Sequence, residues 1–533
     1  MHYDKDLQSM QEVRNLLAKA KAAQLEFKQF PQSNVDRIVK AMAKAGEEAA
    51  ERLGMMACEE TGFGKPEDKK LKNLFATKYT YESIKDLRTV GVIREDKEKR
   101  ILEIAEPMGV VAALIPSTNP TSTAMFKALI AVKGRNALVA SPHPRSVRST
   151  LEAIRIMKEA AEREGAPAGL ISCIESVTSQ GTDELMHHRI TDVILATGST
   201  QMVKAAYSAG KPAYGVGPGN VPAFIERTAN VRKAVADILS GKTFDNGTLC
   251  STESTLICDA PILDPVMAEC KIRGGYFVTG DDKVKLERLM FDKRGALNPE
   301  MVGKPATFIA HSAGIDVPKD TKVLIVMCTS VGREEPLSRE KLSPVLSFFV
   351  DDGWLAGCHR CIELLQFGGI GHTMVIHSED QDIIMKFALE KPAFRILVNT
   401  QAALGAVGYT TGLEPSLTLG PGTMGGSIVS DNVSARHLIN IKRLAYETRP
   451  HLPEFSDITT TFPKEEKKSD DTKETDWIKQ IEERLLQRAG NPPMQEQTKR
   501  PLSGKSDREK GFGTGITEQQ ISKIIEEFAR QYR

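Results

Sequence analysis

The chain has 533 residues, with 71 Lys+Arg against 70 Asp+Glu, 41% hydrophobic and 26% charged side chains. That length allows two or three domains with a sizeable core, and a net charge of +1 recommends neither nucleic acid nor an anionic membrane as partner. Eight cysteines make no disulfide framework in so long a chain, which points to a reducing cytoplasm, and there is no apolar signal core and no 18-residue apolar run.

Residues 6–29 and 33–60 place apolar side chains at helical spacing among charged ones (Val13, Leu16, Leu17; Val35, Ile38, Val39, Met42), so the chain opens with helices. From Ile101 the period changes. Strands are expected at 101–104, 110–115, 137–140, 170–174, 193–196, 213–216 and 223–225, with helices at 121–133, 146–164, 183–189, 200–209 and 231–242. Apolar strands alternating with helices indicate a parallel α/β sheet of the nucleotide-binding kind, whose ligands sit at the carboxyl ends of the strands. Three polar or glycine-rich loops fall there: 116–120, 197–200 and 215–220.

The alternation repeats with strands near 255–258, 322–327, 345–350, 374–377 and 396–399. The resulting division is a first α/β domain over 1–242, a second over 243–430, and a return over 431–462 that carries a short edge strand at 439–443. Residues 464–475 are almost wholly charged and polar, the composition of a disordered linker. The linker is taken as 463–516, with a short amphipathic helix at 477–488. In 517–533, Thr517 and Gln520 form a capping box and Ile521, Ile524, Ile525, Phe528 and Tyr532 share one face. A helix this short is marginal in water and needs a groove to fold against.

Among the cysteines, Cys250 stands apart. It follows a glycine-bearing turn and precedes an apolar strand, a position that holds a thiol at the edge of a cleft. Cys358 and Cys361 have CxxC spacing but no second pair, and lead into a helical pattern; they read as packing.

Six strings carry a resemblance: IPSTNPTST (115–123), FDNGTLCSTEST (244–255), EKLSPVLSFF (340–349), GGIGHT (368–373), VNTQAALG (398–405) and PSLTLGPGTMGG (415–426). In this order and spacing they resemble the aldehyde dehydrogenase superfamily over about residues 5–450, and within it the CoA-acylating branch of bifunctional and bacterial microcompartment enzymes. The resemblance implies two Rossmann-like α/β domains, an NAD-binding one and a catalytic one. It also implies an oligomerisation hairpin at 99–107 that forms a homodimer or homotetramer together with 439–443.

The resemblance implies roles as well. Cys250 is the nucleophile that forms a thiohemiacetal and then a thioester, with the Cys250 backbone N–H and the Asn119 amide as oxyanion donors. Thr197, Gly198 and Ser199 open a helix suited to a cofactor phosphate, Gly217 lies near the nicotinamide, and Glu340 holds its ribose. His372 takes the proton of the CoA thiol. No metal is implied. Hydrolytic relatives carry a glutamate at the strand end that corresponds to 215–220, where this chain reads Gly-Val-Gly-Pro-Gly-Asn. Without that base, a thiol is the better acceptor for the acyl group.

The expected reaction is NAD-dependent oxidation of a short aldehyde, acetaldehyde or propionaldehyde, to acyl-CoA. The terminal helix resembles an encapsulation helix that binds a microcompartment shell protein or cargo enzyme. The alternatives are a non-acylating dehydrogenase that yields the free acid, and an inactive shell-associated structural protein.

Overall fold

The computed structural model describes residues 4–452 and 454. The linker with its helix at 477–488, and the terminal helix at 517–533, lie outside the described residues. The described chain is organised by three sheets.

Five parallel strands run in the order Ile171–Cys173, Ala137–Pro142, Val110–Ile115, Val193–Thr197, Ala213–Val216. Every residue of Val110–Ile115 and Ala137–Pro142 is buried. A parallel sheet covered on both faces leaves no polar side, so its strands are unbroken apolar runs. The helix Gln32–Glu48 turns Val35, Ile38, Val39 and Met42 inward, the face its sequence period marks. The helix Pro120–Lys133 is buried all round, and Lys127 on it donates to the carbonyls of Leu114 and Leu195 at 2.8 and 2.9 Å, tying neighbouring strands. The chain fills this sheet outward from Val110–Ile115 on one side, then returns to lay Val193–Thr197 on the other. A crevice opens at such a reversal, beyond the carboxyl ends of the two strands, here Ile115 and Thr197.

Seven parallel strands form the second sheet, in the order Gly275–Val278, Val323–Met327, Val345–Asp351, Glu253–Asp259, Val221–Ile225, Gly371–His377, Ala393–Val398. One boundary therefore moves. The sequence puts 223–225 in the first domain and starts the second at 243, but Val221–Ile225 pairs with Glu253–Asp259 and Gly371–His377. The chain leaves the first sheet at Val216 and enters the second at Val221 with only residues 217–220 between; alternation alone does not mark which sheet a strand joins.

The third sheet is antiparallel, Gly91–Asp96, Ile101–Pro107, Ile439–Ala445, with seven residues of the last strand in register from Ile439 opposite Pro107 to Ala445 opposite Ile101. Gly91–Asp96 and Gly275–Val278 carry no apolar run long enough to mark them: the first ends in Arg94-Glu95-Asp96, and the second is four residues at a sheet edge. Among the described residues no helix is long and apolar enough to cross a membrane.

Candidate active site

The loops of interest meet between two unlike edges. Residues 116–119 and 197–200 leave the carboxyl ends of the five-stranded sheet. Cys250 precedes Glu253–Asp259, Glu340 precedes Val345–Asp351, and His372 begins Gly371–His377, so these three lie at the amino ends of the seven-stranded sheet. The cleft thus faces a carboxyl edge with an amino edge, and 217–220 crosses between them.

Cys250 is held by a strained turn. Asp245 and Asn246 adopt φ of 47° and 52°, with Gly247 at 76°. Non-glycine residues visit this left-handed region at a cost and mainly as Asn or Asp. Side chains hold the strain in place: Asn246 Nδ2 donates to the Gly303 carbonyl at 2.9 Å, and Asp245 Oδ1 accepts from the Lys65 N–H at 2.7 Å. The Cys250 thiol is half-buried. Burial, with the Glu340 charge adding to it, pushes the thiol up to about 12, against the pull of Arg395 and Lys72. It is therefore a neutral thiol near pH 7 until its surroundings change.

Asn119 is the residue before the buried helix Pro120–Lys133. Its Nδ2 donates to Thr118 Oγ1 at 3.1 Å and to the Thr248 carbonyl at 3.4 Å, two residues before Cys250. Its Oδ1 accepts from Lys72 Nζ at 2.5 Å. Lys72 is itself buried and donates to Asp245 Oδ2 at 2.5 Å and Thr248 Oγ1 at 3.0 Å. Lys69 adds a bond to the same carboxylate at 2.9 Å and another to the Thr118 carbonyl at 2.9 Å. Burial works to raise the Asp245 carboxyl, but Lys72 and Lys69 outweigh it and hold it below the usual range.

The 215–220 stretch lies across the other side. The Gly219 N–H donates to Glu340 Oε1 at 3.0 Å, and a β-carbon on Gly219 would fall 2.2 Å from the Cys250 carbonyl oxygen. Asn220 is buried and ties this loop down through Nδ2 to the carbonyls of Ser338 and Leu364, at 2.9 and 3.1 Å. Burial lifts Glu340 to about 8. The Glu340 loop has its own strained point, Leu342 at φ 43°. Backbone strain of this kind gathers at functional sites, and here it flanks both Cys250 and Glu340.

His372 is fully buried, and burial with the nearby Arg395 charge lowers it to about 3, so its ring is neutral at physiological pH. Its Nδ1 is 2.9 Å from Thr373 Oγ1, which also accepts from Arg395 Nε at 3.3 Å. A hydroxyl has lone pairs for both. With the hydrogen on Nδ1, Nε2 is a bare acceptor, and Nε2 has no partner. The ring lies beside the Cys250 peptide, its Nδ1 3.3 Å from where a β-carbon on Gly219 would stand, and Nε2 is left open to accept a hydrogen; a base near neutral pH needs a higher pKa than burial leaves this ring.

The cofactor-binding candidates follow the carboxyl end of Val193–Thr197. Ser199 caps the helix Thr200–Ser208, its Oγ accepting from the Met202 N–H at 3.3 Å. Thr197 Oγ1 is buried without a partner; nothing stands within 4 Å of a β-carbon built on Gly217, and on Gly198 only Met202, at 3.7 Å. An orphan hydroxyl, open backbone and a helix N-terminus fit a dinucleotide phosphate.

Close contacts thus link Cys250 to Glu340 and His372 through Gly219, and to Asn119 through Thr248, while the Gly198 N–H donates to the Val216 carbonyl at 3.3 Å and so sets Thr197, Gly198 and Ser199 beside the start of 217–220. Sequence reasoning missed Lys69, Lys72, Gly219 as a contact, and Arg395. The helix Pro66–Leu74 buries Lys69, Lys72 and Asn73, and Ala393–Val398 turns Arg395 inward while Phe394 and Val398 face out. Hydrophobic periodicity points the wrong way on both. The available signal was Asp245, an acid beside the nucleophile turn that needs a buried cation.

Residues 5–285 match the model of the aldehyde dehydrogenase family. The bifunctional aldehyde-alcohol dehydrogenase AdhE of Escherichia coli is 43% identical over 440 residues, 81% of this chain and 49% of that protein. The chain thus spans about half the length of that curated relative. An acetylating aldehyde dehydrogenase from Geobacillus thermoglucosidasius superimposes with TM-score 0.83 at 54% identity, covering 85% of this chain and all of that one. A propionaldehyde dehydrogenase from the fucose utilisation microcompartment of Clostridium phytofermentans gives TM-score 0.74 at 27% identity, over 81% of this chain and 97% of that one. Fold and relatives agree: the chain belongs to the aldehyde dehydrogenase family, in its CoA-acylating branch.

Proposed function

We propose that the protein oxidises a short aliphatic aldehyde, acetaldehyde or propionaldehyde, to its acyl-CoA, with NAD as the acceptor of hydride. The observation that carries this reading is the 215–220 stretch: it bears no carboxylate, and Gly219 is pressed between the Cys250 carbonyl and His372 with no room for a side chain.

The Cys250 thiol gives its proton to solvent and the sulfur attacks the aldehyde carbon, forming a C–S bond as the carbonyl π pair moves to the oxygen, which takes the negative charge. The Cys250 N–H and Asn119 Nδ2 donate to that oxygen; one such donor is typically worth about 3 kcal/mol. NAD, when bound, supplies the hydride acceptor that turns the thiohemiacetal into a Cys250 thioester. Thr197, Gly198 and Ser199 would hold its phosphates, Gly217 would leave room for the nicotinamide, and Glu340 would hold the ribose hydroxyls. His372 then takes the CoA thiol proton at Nε2, and the CoA sulfur displaces Cys250.

The protein forms a homodimer or homotetramer in this reading, through Ile101–Pro107 and Ile439–Ala445, where Ile441 and Leu444 are exposed. Residues 517–533 attach it to a shell protein or cargo enzyme in a bacterial microcompartment of the cytoplasm. Support comes from the charged linker and the one-sided apolar pattern of the tail, and from the microcompartment origin of one structural relative. Co-sedimentation of the full chain with purified shells, compared with a chain ending at 516, tests the attachment.

The test of the chemistry is NADH absorbance with acetaldehyde and NAD, with and without CoA, on the protein and on Cys250→Ala. Strict CoA dependence that vanishes in the alanine variant is expected. Steady turnover without CoA would make the product a free acid, with Glu340, the acid whose charge acts on Cys250, as the base.

A further inference from the structure

We propose that Lys72 is a positioning residue for the reaction: its ammonium, bonded to Asn119 Oδ1, fixes the amide so that Nδ2 faces the turn that carries Cys250. The inference rests on the reading of Asn119 as an oxyanion donor and adds the device that makes it one.

An asparagine amide presents a donor at one end and an acceptor at the other, and the two are nearly isosteric. Rotated by half a turn, Asn119 would aim a carbonyl oxygen at the forming oxyanion and repel it. An ammonium has only hydrogens to give, so it accepts only one of the two orientations. Lys72 Nζ meets Oδ1 at 2.5 Å, and Nδ2 is thereby directed to the Thr248 carbonyl, in the segment that leads to Cys250. The cation also draws electron density from the amide and strengthens its N–H as a donor, as linked hydrogen bonds do.

Lys72 has little freedom to do otherwise. Its three hydrogens go to Asn119, Asp245 and Thr248, and Phe244 lies beneath it with the ring centre 5.6 Å away. Asp245 is in turn fixed by Lys69 and by Thr248 Oγ1 at 2.6 Å. The charged groups that act on Lys72 are Asp245, Lys69 and Asp68. Burial lowers its pKa to about 8, with Asp245 opposing the fall. The chain thus buries a costly cation and aims it at the amide, where an apolar side chain would fill the space more cheaply.

A double-mutant cycle on the full chain tests this, with rates of NADH formation from propionaldehyde, NAD and CoA. Lys72→Met should lower kcat about 10- to 100-fold, the scale of a misplaced catalytic group, with the KM for aldehyde little changed. In the Asn119→Ala background the same substitution should cost less than about twofold, the signature of residues that act through one another. Lys72→Arg, which keeps the charge and donates only, should recover most of kcat. Should Lys72→Met fail to fold, Lys72→Gln takes its place in the cycle, since its amide cannot enforce one orientation of Asn119. If Lys72 costs the same with and without Asn119, the positioning role is overturned and the oxyanion reading stands. If Asn119→Ala leaves kcat unchanged, the oxyanion reading fails, and this proposal fails with it.

Discussion

A β-carbon on Gly219 would stand 2.2 Å from the carbonyl oxygen of Cys250 and 3.3 Å from Nδ1 of His372. The nucleophile's own peptide is packed against the bare backbone of Gly219. In Gly219→Ala one backbone must move, because the nearest atom is a carbonyl and no flexible side-chain tip is available to yield. The substitution should cost about 1–3 kcal/mol of stability, as overpacking does, and lower kcat by about 100-fold through displacement of Cys250. Thermal unfolding and steady-state rates check both.

The thiol of Cys250 is held at about 12 by burial and the Glu340 charge. In the protein without ligands, its thiolate fraction rises tenfold per pH unit across the neutral range. Iodoacetamide alkylation of Cys250, followed by mass spectrometry, should therefore climb steadily from pH 7 to 10 with no plateau. Glu340→Gln removes the opposing charge and should speed alkylation at pH 8.

Two buried histidines tie stability to pH. His372 and His377 are both lowered to about 3, chiefly by burial, with Arg395 and Lys233 adding to it respectively. Unfolded, each binds a proton below about 6.5. Between these values the unfolded chain holds more protons than the folded one, so stability rises with pH and is lost as pH falls. Each histidine contributes a slope of about 1.4 kcal/mol per pH unit in that window. Glu340 and Glu253, both lifted to about 8 by burial, hold protons in the folded chain over the same range and oppose this slope. The histidine contribution is therefore read by comparison: in urea unfolding, the stability change from pH 7 to pH 5 should differ between the protein and His377→Gln by about 2 kcal/mol, with the protein losing more.

Asp245 neutralises two buried ammonium groups, at 2.5 and 2.9 Å. Asp245→Asn removes the carboxylate that both Lys69 and Lys72 bond, leaving Asp68 as the acid that still acts on Lys72, a change that costs about 3–5 kcal/mol. It also frees a turn whose φ of 47° that carboxylate holds. Denaturant unfolding should register the first effect and a loss of kcat the second, with Asp245→Glu intermediate on both.

Much of this architecture is legible in the sequence because a doubly covered parallel sheet writes itself as apolar runs. Val110–Ile115 and Ala213–Val216 have the bounds their apolar runs mark, and Cys250 announces itself by the turn before it. The exceptions share a cause. Lys72 and Arg395 are charged residues on inward faces, and such a position is chosen by a partner distant in the chain: Asp245 lies 173 residues from Lys72. Local pattern carries no information about so remote a partner. Val221–Ile225 is legible as a strand, yet its sheet is not, since pairing depends on where the 217–220 crossing takes the chain.

That crossing has a mechanical consequence. Four residues reach at most about 14 Å fully extended, so the two sheets are tethered at the cysteine. Val216 and Val221, the strand ends that the crossing joins, cannot part by more than it can span, and Gly219 within it lies against the Cys250 carbonyl, so chain length itself limits how far the two sheets separate beside the nucleophile.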